Sequence, residues 1–64
     1  MRDIGKNIRK LRESKGLTQD QLAEKLFVTR QTVSNYETGR TRPDVDMIVS
    51  IANVLETDEN TVIY

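Results

Sequence analysis

Cysteine and histidine are both absent from the 64-residue sequence. The lack of cysteine excludes disulfides and thiolate metal sites, and the lack of histidine excludes the usual zinc sites and imidazole acid–base chemistry. The three glycines, Gly5, Gly16 and Gly39, are too far apart to form a phosphate-cradling loop, and no paired-carboxylate cleft is recognisable. We therefore expect no enzymatic activity, no metal and no cofactor.

Long apolar stretches are also missing from the sequence. No run approaches the roughly 18 residues that a membrane-spanning helix needs, and residues 1–6 lack the apolar core of a signal peptide. The sequence thus predicts no membrane segment and a cytoplasmic location. Because a chain of this length buries only about 60% of the surface that its unfolded form exposes, we expect residues 1–64 to form one small domain without a deep pocket.

Basic residues are missing from the C-terminal third, although the net charge of the whole chain is zero. All ten lie between Arg2 and Arg42, where five acidic residues leave a balance of +5. Residues 43–64 hold the other five acidic residues and carry −5. Such a division favours one surface that faces a polyanion. Chance segregation in a short chain is the alternative interpretation.

What the sequence does contain is apolar periodicity typical of helices. Ile4, Ile8 and Leu11 share one face of the first helix, and Thr18 with Gln21 forms a capping box that starts the second. The pattern predicts an all-α domain without strands. Its five helices are expected at residues 3–14, 19–26, about 30–38, 45 to about 55, and a short last segment that Asp58 or Thr57 caps and that ends near 62–64.

Residues 18–39 predict two short helices joined by a tight turn at Phe27 and Val28. The small side chain of Ala23 permits a second helix to approach closely. An α-helix is one of the few protein elements that fits the DNA major groove. This segment therefore favours a helix that reads nucleic acid.

The third predicted helix begins with side chains that suit base edges. Arginine bonds guanine in a bidentate way and glutamine does the same to adenine, and groove-inserted helices present their readers near the N-terminus. The candidate base-contacting residues are Arg30, Gln31, Thr32 and Asn35. The alternative is an ordinary solvated helix face.

Several neighbouring side chains are candidates for contacts to the sugar-phosphate backbone. Free N–H groups at helix N-termini and basic loops both suit phosphates. The candidates are Gln19, Thr29, Ser34, Tyr36, Arg40 and Arg42. Tyr36 has a second interpretation, in which its ring packs on the inner face of the helix.

Residues 17–26, 28–39, 43–44 and 48–55 together resemble the phage-repressor-like helix-turn-helix family of the Cro/Xre type. The resemblance covers essentially the whole chain and implies a compact, lambda-repressor-like domain that binds operator DNA as a dimer. It also implies an ion pair between Arg12 and Glu37, which would anchor the third helix to the first.

Two residues depart from the family pattern. Phe27 stands where the family usually has glycine, at a turn position that favours positive φ. We expect a strained turn with Phe27 partly exposed. Thr57 stands where an aliphatic residue is usual, which weakens the placement of the last helix.

Surplus apolar residues near the C-terminus suggest a self-association face, with completion of a small core as the alternative. Dimerisation would double the number of base pairs read and would set half-sites about one helical turn, roughly 34 Å, apart. The candidates for this dimer face are Val49, Val54, Val62, Ile63 and Tyr64.

The sequence thus favours a sequence-specific transcriptional regulator that binds double-stranded DNA, most simply a repressor, with its third helix in the major groove of the operator. The alternative is a protein-interaction module, such as an antitoxin-like or partner-binding helix-turn-helix protein, in which the acidic C-terminal half and the surplus apolar residues carry the function. The salt dependence of any DNA affinity separates the two hypotheses.

Overall fold

A computed structural model describes residues 3–64, so Arg2 of the basic segment lies outside the described residues. Within that range the chain forms five α-helices and no strand, which confirms the predicted fold class. The helices are α1 (Ile4–Ser14), α2 (Gln19–Leu26), α3 (Arg30–Thr38), α4 (Val45–Val54) and α5 (Glu59–Ile63).

Each helix begins at a short polar side chain that accepts a hydrogen bond from a backbone N–H of the first turn. These caps are Asp3, Thr18, Thr29, Asp44 and Asp58. Such a cap stabilises a helix by about 1 kcal/mol. The predicted capping box of α2 is present.

The last two helices agree closely with the prediction. Leu55, near which we expected α4 to end, is its C-cap, and Asp58 is the one of the two predicted caps that begins α5. The hydrogen bonds from Thr61 lower the pKa of Asp58 below its usual value.

A side-chain hydrogen bond fixes α5 against α1. Asn7 of α1 donates it to the carbonyl oxygen of Val62 at 2.9 Å.

The core lies where all five helices meet, and its largest fully buried side chains are Ile8, Leu22, Ile51, Leu55, Val33 and Val62. Val62 therefore completes the monomer core and offers no surface to a dimer partner, contrary to the prediction that grouped it with the dimer face. The short α5 reaches the core because it packs on both α1 and α4.

Gly5 sets the distance between α1 and α3. A Cβ atom at this position would lie 2.5 Å from the carbonyl oxygen of Tyr36 and 2.6 Å from that of Glu37. Those separations are shorter than any van der Waals contact, so only glycine allows α1 to approach the last turn of α3 this closely. The position of α3 therefore depends on a residue that the sequence pattern left unexplained.

Candidate nucleic-acid interface

One side of α3 is packed and the other is open. The helix packs mainly on α1 and α2, through Val33, which is fully buried, and Tyr36, which is half-buried against the core. Arg30 and Gln31 at the start of α3 are exposed, and Thr32, Ser34 and Asn35 are half-buried. The predicted reading edge therefore faces outward from the domain.

Arg12 and Glu37 form the ion pair that the family resemblance implies. The guanidinium donates Nε to Glu37 Oε2 at 2.6 Å and Nη2 to Oε1 at 3.1 Å, and the two side chains are only 10% and 3% exposed. Arg12 Nη1 also donates to the carbonyl oxygen of Leu17 at 2.7 Å. The bonds to Glu37 raise the pKa of Arg12, which keeps the guanidinium charged.

Gln19 joins the same network from α2. Its Nε2 donates to Glu37 Oε1 at 3.0 Å, so the carboxylate of Glu37 connects α1, α2 and α3. This bond engages the side-chain amide that was predicted to contact a phosphate. The N–H groups at the start of α2 and the rest of the Gln19 side chain remain candidates for that contact.

The turn between α2 and α3 is strained at Phe27. This residue is the C-cap of α2 and has φ 59° and ψ 39°, the left-handed conformation that the family's glycine would favour. A non-glycine residue there costs about 1–2 kcal/mol. The ring is 95% exposed, more than the partial exposure that we predicted. Burial of the ring therefore does not offset the strain.

Two of the predicted base readers bond to each other. Gln31 Nε2 donates to Asn35 Oδ1 at 3.0 Å across one turn of α3. Arg30 instead faces a carboxylate, since its Nε lies 4.0 Å from Asp20 Oδ1 and both side chains are well exposed. The amides of Gln31 and Asn35 are thus already bonded to each other, whereas the contact of Arg30 with Asp20 is long and exposed and is worth little.

Three of the predicted backbone-contacting residues, Thr29, Arg40 and Arg42, lie at the two ends of α3. Thr29 caps α3 through the backbone N–H of Thr32 and shares a 3.0 Å hydroxyl contact with its side chain. Arg40 and Arg42 are exposed in the loop after α3. The N–H of Arg40 donates to the carbonyl oxygen of Asn35 at 2.9 Å, and this bond holds the basic loop beside the end of the helix.

The remaining candidates for the dimer face lie on α4 and α5 and at the C-terminus. Val49, Val54 and Ile63 are half-buried, and the last two pack partly on the core. Tyr64 is 70% exposed. These four residues offer a modest apolar surface away from α3.

Gly5 and Asp20 also lie at or beside the contacts of α3, and no sequence pattern singles out either residue. Gly5 has no local signal because its role depends on Tyr36 and Glu37, which lie more than thirty residues away in the chain. Asp20 is an ordinary acidic residue in the first turn of α2, and only the fold brings it to Arg30. The i, i+4 spacing of Gln31 and Asn35, by contrast, is a recognised hydrogen-bonding spacing on helices.

Residues 3–64 hold no group of three or more acidic side chains arranged to bind a metal ion. No helix in that range is long and apolar enough to cross a membrane.

A model of the helix-turn-helix family matches residues 8–62. YqaE of Bacillus subtilis, an uncharacterized helix-turn-helix transcriptional regulator, is 39% identical over 53 residues, which make up 83% of this chain and 46% of YqaE. This chain spans about half the length of the curated relatives that it matches.

Two solved structures, each 28% identical in sequence, superpose closely on the domain. One is the restriction-modification controller protein C.AhdI from Aeromonas hydrophila, with a TM-score of 0.88 over 94% of this chain and 91% of that chain. The other is SinR, a master regulator for biofilm formation in complex with DNA, with a TM-score of 0.85 over 92% and 95%. Because the family model covers most of the sequence and the fold agrees, the chain belongs to the Cro/C1-type helix-turn-helix family.

Proposed function

We propose that this chain is a sequence-specific regulator, most simply a repressor, that binds double-stranded DNA as a homodimer with α3 in the major groove. The observation that carries the proposal is the outward edge of α3. Arg30 and Gln31 are exposed at its N-terminal end, where groove-inserted helices contact bases. The opposite side of the same helix is anchored to the core by Val33 and to α1 by Glu37.

Charge supports the same orientation. Arg30, Arg40 and Arg42 lie at the two ends of α3 and are all exposed, while residues 43–64 carry only acidic charge. A duplex that meets α3 would therefore contact the basic part of the chain. In this account Gln19, Thr29, Ser34 and Tyr36 contribute backbone contacts around the groove.

A homodimer extends the site that one small domain reads. A single α3 contacts only a few base pairs, each worth about 1–3 kcal/mol of discrimination. We propose that Val49, Val54, Ile63 and Tyr64 form the contact between protomers. We also propose a cytoplasmic location, where a regulator of this kind meets DNA, and no catalytic activity, because a helix-turn-helix model accounts for residues 8–62.

Titration of Arg30→Ala and Gln31→Ala against a selected operator and a scrambled duplex tests direct reading. Each substitution removes a side chain that bonds a base, so affinity for the operator should fall about 5- to 150-fold, the range of one base contact. Affinity for the scrambled duplex should change much less, because phosphate contacts supply nonspecific binding. If both variants keep the full preference for the operator, these two residues do not read it.

A protein-interaction module is the second candidate, and Phe27 favours it. Phe27 lies in a strained turn and is 95% exposed. Its ring is therefore not stabilised by burial inside the monomer and is available to a partner. Titration with duplex DNA at increasing salt separates the candidates. DNA affinity that falls steeply with salt supports the regulator, with a slope of about 0.9 per neutralised phosphate. The absence of binding to any duplex at low salt supports the interaction module.

A further inference from the structure

We propose that Gln31 and Asn35 act as one reading unit. In this unit Asn35 fixes the side-chain amide of Gln31, and the fixed amide binds adenine in preference to guanine. This inference rests on the proposed function, because it specifies what the groove-facing edge of α3 reads. It assigns Asn35 a positioning role in addition to any base contact of its own.

The hydrogen bond between the two amides defines what Gln31 has left to offer. A glutamine amide has two N–H donors on Nε2 and one acceptor oxygen, Oε1. One donor is committed to Asn35 Oδ1 at 3.0 Å. Gln31 therefore presents one donor and one acceptor toward the solvent side of α3.

That remaining pair matches adenine. In the major groove adenine shows an acceptor, N7, beside a donor, the N6 amino group, whereas guanine shows two acceptors, N7 and O6. The N–H on the same side as Oε1 donates to N7 while Oε1 accepts from N6, and the other N–H stays on Asn35. A bidentate contact with guanine would need both N–H groups of Gln31, one of which is bonded to Asn35. Otherwise Oε1 would face O6, and these two oxygens are both acceptors.

Asn35 is the more firmly held member of the pair. Its side chain is half-buried, whereas that of Gln31 is exposed. Its backbone carbonyl oxygen accepts hydrogen bonds from the N–H of Arg40 at 2.9 Å and of Thr41 at 3.3 Å, which hold the backbone of Asn35 at the end of α3. The side-chain oxygen of Asn35 therefore extends from an anchored backbone, and we propose that it sets which way the exposed amide of Gln31 turns.

The test measures the preference for adenine over guanine at the base pair that Gln31 reads. That base pair is identified as the operator position whose preference disappears in Gln31→Ala. At this position the unmodified protein should favour adenine by about tenfold, a typical contribution of one bidentate contact. Asn35→Ala frees the second N–H of Gln31, so the preference should fall to about twofold.

Asn35→Asp is the conservative variant, because its carboxylate keeps the acceptor that holds Gln31 Nε2. Its added negative charge lowers affinity for every duplex, but the preference for adenine over guanine should remain near tenfold. Asn53→Ala, which removes an exposed side-chain amide from α4, should leave the preference unchanged. Circular dichroism and thermal unfolding establish that each variant folds.

Three results would overturn the inference. One is a preference that survives in Asn35→Ala, which would mean that Gln31 reads alone. Another is loss of the preference in Asn35→Asp as much as in Asn35→Ala, and the third is a preference for guanine in the unmodified protein. If the unmodified protein binds all duplexes equally, the proposed function itself fails, and the result differs from all three.

Discussion

At the scale of single residues, Phe27 destabilises the folded domain through the strained conformation of its own backbone. Its backbone is in the left-handed region at φ 59°, and its ring is 95% exposed. The strain was foreseeable from the sequence, because the turn between two such helices requires positive φ and phenylalanine replaces the usual glycine. The degree of exposure was not foreseeable, since it depends on where α2 ends relative to the core.

Replacing Phe27 with glycine should stabilise the isolated domain by about 0.5–1 kcal/mol. Glycine removes about 1–2 kcal/mol of left-handed strain and gives back part of it through greater freedom of the unfolded chain. Urea unfolding followed by circular dichroism measures the change. Glu56→Gly is the comparison variant, because Glu56 is exposed at the same backbone conformation, φ 57°, after α4. It should stabilise the domain less, because it also removes the exposed ion pair with Lys15 at 3.3 Å.

A clear loss of stability in Phe27→Gly, with no such loss in Glu56→Gly, would contradict this account of the turn. It would mean that the ring of Phe27 contributes contacts in solution that outweigh the strain.

At the scale of the helices, the sequence predicted well where each helix begins and ends. It predicted poorly which side chains of different helices pack together. Caps such as Thr18 and Asp44 act on backbone groups within three residues, so a local pattern is enough to find them. The burial of Val62 depends on two other helices, and α5 is too short for periodicity to distinguish an inward face. The Arg12–Glu37 pair, which spans 25 residues, was expected from the family resemblance.

Arg12→Ala should lower the unfolding free energy by about 3–5 kcal/mol. The substitution leaves the carboxylate of Glu37, whose side chain is 3% exposed, without its charged partner. The matched control is Arg9→Ala on the same helix. Arg9 pairs with Glu13 at 3.4 Å in solvent, and such exposed pairs contribute at most about 1 kcal/mol.

Combining Arg12→Met with Glu37→Leu should recover much of the lost stability, because two long apolar side chains leave no buried charge. The recovery should be incomplete, because the carbonyl oxygen of Leu17 and the amide of Gln19 each lose a partner. Urea unfolding of the three variants provides the comparison. Equal losses in Arg12→Ala and Arg9→Ala would contradict the claim that this ion pair anchors α3 to α1.

At the scale of the whole molecule, α3 lies in the part of the sequence that carries all the basic residues. The described basic residues all precede Pro43, and α4 and α5 carry none. Oppositely charged regions orient a protein as it approaches a polyanion. The order of charged residues along the chain indicated this division, but only the fold shows that Arg30, Arg40 and Arg42 flank an outward helix edge. Contact between protomers stays a prediction, now restricted to Val49, Val54, Ile63 and Tyr64.

Selection of binding sites from random DNA duplexes tests the central claim most directly. For the unmodified protein the account predicts enrichment of a symmetric motif, with half-sites about one helical turn, roughly 34 Å, apart. The same selection with Gln31→Ala should lose the preference at one position of each half-site. Failure of the unmodified protein to enrich any motif, or recovery of the identical motif with Arg30 and Gln31 both replaced by alanine, would contradict the account.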